Sequence, residues 1–174
     1  PSPLTRRKFI QHASAGVALF NILPGTMSHG AEPLSPNSKV NVAGIGIGSR
    51  GGADVGEIAG LGHNIVALCD VDENYAAKEF AKYPDAKRFK DYRVMFDKMG
   101  KEIDAVIIGT PDHTHAVISM EAMRRGKHVY CEKPMTRYAA EGWDVYDKVK
   151  STGKVYTCGS QYTADPVFHK VADW

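Results

Sequence analysis

Three short stretches of this sequence combine residue types that can do chemistry. The first is Gly46-Ile47-Gly48-Ser49-Arg50-Gly51, a GxGxxG loop. In such a loop the first glycine permits a tight turn and the second lets a diphosphate approach the backbone. The third lets a helix pack closely on a strand, with the helix N-terminus facing the anion. Asp70 follows Gly51 by 19 residues, at the end of the apolar run NIVALC. A carboxylate there accepts hydrogen bonds from ribose hydroxyls and repels a 2′-phosphate. Loop and acid together point to a dinucleotide, NAD before NADP, with Arg50 as a cation that could offset the repulsion. Asp72 is expected to cap the next helix rather than to reach the ribose.

The second stretch is Thr110-Pro111-Asp112-His113-Thr114-His115, leaving another apolar run. Asp112 or Thr114 can cap the helix that follows. Two histidines at i and i+2 do not share a helix face, and no Cys/Glu constellation accompanies them, so no metal is expected. The third is VYCEKPM, Val129 to Met135, where an apolar run ends in Glu132, Lys133 and Pro134. An ionised pair before a residue that cannot continue a strand is either a surface salt bridge or the edge of a reaction site.

These stretches need strands to end on and helices to start from. Val40–Ile45, Asn64–Cys69, Ile103–Ile108, Lys127–Tyr130 and Val155–Cys158 read as strands, and Lys87–Phe89 as a weaker one. Helical patterns over Ala53–Ala59, Glu73–Lys82, Arg93–Lys98, His115–Arg125 and Ala139–Lys150 alternate with them. Such alternation predicts right-handed crossovers and a Rossmann-like, doubly wound α/β sheet of about six parallel strands. Trp143 and Tyr146, at i and i+3, read as packing residues.

The front of the chain reads differently. Arg6-Arg7-Lys8 precede a mildly apolar run from Ala13 to Leu23 and the small-residue stretch PGTMSHGA. That run is about half the ~20 residues needed to span a bilayer, so residues 1–30 read as a secretory signal, followed by a linker at 31–38. The paired arginines resemble the twin-arginine export signal, which implies a periplasmic or otherwise exported protein without a membrane anchor. Of 22 Lys+Arg and 20 Asp+Glu, only Arg6, Arg7 and Lys8 fall in this segment, which leaves a near-neutral body with no footprint for nucleic acid. Cys69, Cys131 and Cys158 form no CxxC pair and read as buried thiols.

Taken in order, GIGIGSRG at 44–51, ALCDVDE at 67–73, DAVIIGTPDHTHA at 104–116, GKHVYCEKPMT at 126–136 and GSQYTADP at 159–166 resemble the Gfo/Idh/MocA oxidoreductase family. The resemblance implies an NAD(P)-binding domain over residues 39–160. Residues 161–174 would begin a C-terminal α/β substrate domain that this chain lacks. By the same resemblance, Lys133 is catalytic and lies beside the nicotinamide and the substrate hydroxyl. Glu132 would orient it or bind the nicotinamide ribose, and Pro134 would hold the turn through a cis bond. Thr110, Pro111 and His115 would line the cofactor end of the site, with Gln161 near the nicotinamide. The family's catalytic histidine and its neighbouring aspartate would lie beyond Trp174, so this piece alone is expected to be inactive.

The implied activity is hydride transfer between nicotinamide and a carbinol of a sugar, cyclitol or glycoside, in a protein that forms homo-oligomers. Two alternatives accompany it. One is an NAD-dependent glycoside hydrolase working by transient oxidation and elimination, although such relatives usually depart from Glu-Lys-Pro at this strand end. The other is a non-catalytic nucleotide-binding regulator.

Overall fold

The computed structural model describes residues 38–160. The expected signal, the linker up to residue 37 and the segment 161–174, with Gln161, lie outside the described residues.

Six strands are present: β1 (Asn41–Ile45), β2 (Asn64–Cys69), β3 (Lys87–Phe89), β4 (Ala105–Ile108), β5 (His128–Glu132) and β6 (Tyr156–Gly159). Between them run α1 (Arg50–Gly60), α2 (Ala77–Lys82), α3 (Tyr92–Met99), α4 (His115–Arg124) and α5 (Ala139–Thr152). Every strand pair is parallel, and the order across the sheet is β3-β2-β1-β4-β5-β6. This is the doubly wound arrangement that the alternating pattern predicted, with its switch point between β1 and β4.

Alternating side chains explain why the strands read as continuous apolar runs. Ala43, Ile45, Val106 and Ile108 face one cluster, closed by Met95 and Phe96 of α3, Ile118 of α4 and Val145 of α5. Val42, Leu68 and Ile107 face the other, closed by Val55 of α1 and Phe80 of α2. Helices therefore cover both faces, and both sets of strand positions are apolar.

Several boundaries differ from expectation. β5 runs past Tyr130 to Glu132 because Cys131 and Glu132 pair in register with Cys158 and Gly159 of β6. The acid of the Glu-Lys-Pro stretch is thus the last strand residue. α1 begins at Arg50, inside the glycine loop rather than after it. α2 begins only at Ala77, because Asp72 Oδ1 accepts from the amides of Asn74 and Tyr75 and holds the preceding residues in a turn. Asp72 therefore caps a turn, not the helix. Cys69 and Cys131 are buried but Cys158 is only half-buried. Trp143 and Tyr146 pack edge to face against each other on the exposed side of α5.

The contact that fixes α1 on the sheet is between two glycines. A Cβ on Gly51 would stand 2.2 Å from the Gly46 carbonyl oxygen, and one on Gly109 would stand 2.4 Å from the Gly51 Cα. Either side chain must push the helix off the β1–β4 crossover. Gly51→Ala and Gly109→Ala are each expected to cost about 1–3 kcal/mol through overpacking. The double variant should cost less than their sum, since the first displacement already makes room for the second. Urea denaturation of the four proteins reads both effects.

Candidate dinucleotide-binding site

The three sequence stretches converge at the carboxyl ends of the strands, where an open α/β sheet offers its crevice. Two cavities adjoin there, of about 640 Å³ and about 600 Å³. Gly46, Gly48, Ser49, Asp70 and Pro111 line the first, and His115, Glu132 and Lys133 the second; Arg50 and Thr110 belong to both. Gly51 stands behind the loop as its packing contact. Gln161 falls outside the described residues.

Asp70 organises the adenosine end. Its Oδ2 accepts from the amides of Ile47 at 2.8 Å and Gly48 at 3.0 Å, and its Oδ1 accepts from the Asp72 amide at 3.0 Å. The carboxylate thus pins the glycine loop to the end of β2 before it meets any ribose. Ser49 does not cap α1 with its hydroxyl; its carbonyl oxygen accepts from the Gly52 amide at 3.1 Å, and no hydroxyl competes with an anionic guest for the other first-turn amides. The space beside Gly48 has a different use from the one expected. A Cβ there would lie 2.2 Å from Tyr75 Cδ1, so the missing side chain makes room for the tyrosine ring rather than opening the loop.

Arg50 spans the two cavities. Its Nε donates to Glu132 Oε1 at 3.2 Å, and its Nη2 lies 2.9 Å from Asp54 Oδ1, one helical turn away. Its guanidinium is therefore engaged at the tip of β5, three strands or roughly 14 Å across the sheet from Asp70. Among the described residues it makes no ion pair with Asp70. Burial first, and then the charge of Glu132, push the Asp54 carboxyl up to about 6.

At the other end, Glu132 is turned toward Arg50 rather than toward the Lys133 ammonium. Its Oε2 accepts from the Lys133 main-chain amide at 3.1 Å. The Lys133–Pro134 bond is cis, as expected. The Lys133 side chain is exposed, and its ammonium makes no ion pair or hydrogen bond among the described residues. His115 is buried, with Nδ1 2.7 Å from the Pro134 carbonyl oxygen and Nε2 2.7 Å from that of Thr110. Both ring nitrogens face main chain, so the ring staples the turn after β4 to the turn after β5. The Thr114 hydroxyl accepts from no amide of α4; it contacts Thr110 Oγ1 at 2.7 Å and the Pro111 carbonyl oxygen at 2.8 Å. Neither it nor Asp112 caps α4 with its side chain. Burial pushes the Cys131 thiol up to about 11, which leaves it neutral and inert just before the acid.

Asp54 and Tyr75 were not expected at the site. Asp54 carries a local signal, being four residues after Arg50 on one helix face. Tyr75 carries none, because its partner lies in another crossover.

A dinucleotide fits these residues. The glycine loop supplies a close turn, the start of α1 supplies amides that no side chain caps, and Asp70 supplies a ribose acceptor that disfavours a 2′-phosphate. Fold and site together define an NAD-binding Rossmann domain. Residues 39–160 match the family described as "Oxidoreductase family, NAD-binding Rossmann fold", and the chain belongs to this Gfo/Idh/MocA family. Among curated relatives, it is 32% identical over 143 residues to Glycosyl hydrolase family 109 protein 1 of Akkermansia muciniphila, covering 75% of this chain and 29% of that protein. It is 31% identical over 113 residues to inositol 2-dehydrogenase of Salmonella typhimurium, covering 63% of this chain and 33% of that protein. The fold superposes on myo-inositol 2-dehydrogenase of Lactobacillus plantarum with a TM-score of 0.68 at 24% identity, over 76% of this chain and 40% of that one. The chain thus spans about a third of the length of these relatives.

The Asp70 contacts generate a test. Asp70→Ala removes the shared acceptor of three amides, a loss expected to cost about 1–3 kcal/mol. Hydrogen exchange at Ile47 and Gly48 should quicken by tenfold or more, while the amides of β4 keep their protection.

Proposed function

We propose that the whole protein is an NAD-dependent dehydrogenase acting on a carbinol of a sugar, cyclitol or glycoside. The supporting observation is the position of Lys133. Its ammonium is exposed at the tip of β5, in the cavity that adjoins the dinucleotide groove, and no carboxylate among the described residues neutralises it. A cation so placed can hold the substrate oxygen and stabilise the negative charge that develops as the hydroxyl proton leaves. Bound NAD would supply the hydride acceptor. The start of α1 and Asp70 would hold the nucleotide, while Thr110 and the His115 staple keep the turns around the second cavity in place. The inositol 2-dehydrogenase relative supports a polyol substrate.

A glycoside-hydrolysing reading also has a specific observation behind it, the relative titled as a family 109 glycosyl hydrolase. That chemistry would use the same nucleotide and return it unchanged. Release of nitrophenol from nitrophenyl glycosides with NAD neither consumed nor reduced would favour it over net oxidation.

The Arg6-Arg7 pair supports export of the whole protein by the twin-arginine route, already folded and carrying its nucleotide. We further take the whole protein to form homo-oligomers. Replacing both arginines by lysine should hold the protein in the cytoplasm, read by fractionation and immunoblot. Nucleotide released from the exported wild type should be NAD by mass spectrometry.

For the reaction itself, Lys133→Met in the full-length protein should lower kcat by about 10²–10⁴. The Kd for NAD should stay within roughly threefold, because the nucleotide is held mainly by other residues. Unchanged turnover with polyol substrates would overturn the assignment.

A further inference from the structure

Arg50, Asp54 and Glu132 form one charged cluster where the two cavities meet. The Asp54 and Glu132 side chains are only 5% and 6% exposed, whereas Arg50 is half exposed. One guanidinium therefore faces two carboxyls in a dry place. If both were ionised, the cluster would carry a net negative charge beneath a groove suited to an anionic diphosphate.

The Asp54 oxygens supply a second, independent observation. Both are shut off from solvent, and neither receives a directed hydrogen bond; the 2.9 Å contact with Arg50 is an ion pair only. Buried polar atoms left in that condition are rare. The Glu132 carboxyl shares the Arg50 guanidinium with Asp54, at 3.2 Å against 2.9 Å. A proton on Asp54 donated to Glu132 satisfies the buried oxygens and brings the cluster to neutrality.

We infer that Asp54 is a positioning residue: as the protonated partner of Glu132, it holds the Arg50 guanidinium at the junction of the two cavities, presented to the diphosphate of the dinucleotide. The inference rests on the NAD-dependent reading above. Ionisation of Asp54 adds a negative charge under the diphosphate and draws the guanidinium inward, so nucleotide affinity falls as pH rises. Asp54 is raised to about 6, so the proton is present below that pH and lost above it. The charged groups facing Asp54 are Arg50 and Glu57 of α1 and Glu132 of β5. His113, His115 and Lys133 also line the cavities, and they are the same in the wild type and in Asp54→Asn.

Calorimetric titration of the full-length protein with NAD, across roughly pH 5 to 8, tests this. In the wild type, affinity should fall roughly tenfold as pH rises through about 6. Near neutrality, binding should take up a fraction of a proton, seen as a dependence of the heat on the buffer's ionisation enthalpy. Asp54→Asn keeps a donor toward Glu132 but cannot ionise, so its profile should be flatter and the uptake lost. Parallel profiles and equal uptake in the two proteins would overturn the inference while leaving NAD binding intact. No binding to folded wild type at any pH would overturn both. Should Asp54→Asn fail to fold, carboxyl-carbon NMR of the wild type decides. Titration of Asp54 near 6 supports the inference, and titration in the ordinary carboxylate range overturns it.

Discussion

The site depends on how closely α1 is seated on the sheet. Gly51 and Gly109 touch through bare backbone, which leaves no room for a side chain between the start of the helix and the end of β4. That seat puts the first turn of α1 at the switch point between β1 and β4, where the two halves of the sheet diverge. It also aims one stripe of the helix, Arg50 and Asp54, at the tip of β5. A helix displaced by the width of a methyl group would carry the guanidinium away from Glu132. It would at once expose the two buried carboxyls to water and remove their shared cation. Backbone contact, cofactor geometry and the charge pattern of the second cavity therefore stand on one packing constraint.

Charge is divided across the crevice in a way that follows from strand order. Asp70 directly follows β2, and its carboxylate accepts from three nearby amides. Glu132 ends β5, and is satisfied by Arg50 and by the amide of the next residue. Both strand ends carry an acid, yet neither acid needs a ligand to complete it. The loop is held in shape beforehand, so little ordering remains to oppose nucleotide binding. The buried carboxyls near Arg50 carry a desolvation cost that only their mutual arrangement offsets.

Much of this was legible in the residues themselves. Most strand positions followed from apolar runs such as AVII, whereas β3, Lys-Arg-Phe, has only one apolar residue and was the weaker reading. The glycine loop and Asp70 were legible because the spacing of a first crossover is nearly fixed by its geometry. What escaped was set by partners distant in sequence. β5 gained two residues only because β6 was there to pair with Cys131 and Glu132. The role of Gly48 depended on a tyrosine 27 positions later in the chain. The start of α2 moved because the Asp72 side chain competed locally for two amides, a choice that helical periodicity does not register. Arg50 looked like a cation for the adenosine end, and only the fold shows its head turned to β5.

That last point explains the Glu-Lys-Pro stretch better than adjacency does. Neighbouring residues at the end of a strand point to opposite faces, so an acid and a lysine in sequence are poor candidates to pair with each other. Glu132 lies under the sheet's edge, where a guanidinium from 82 residues earlier takes up its charge. Lys133 lines the same cavity with its ammonium uncommitted among the described residues. Had the two paired, the second cavity would be lined by a neutral couple. By supplying the acid with a different cation, the fold keeps a full positive charge available at the strand tip. Arg50 thus serves both cavities, bordering the groove for the diphosphate and relieving the lysine of its neighbour.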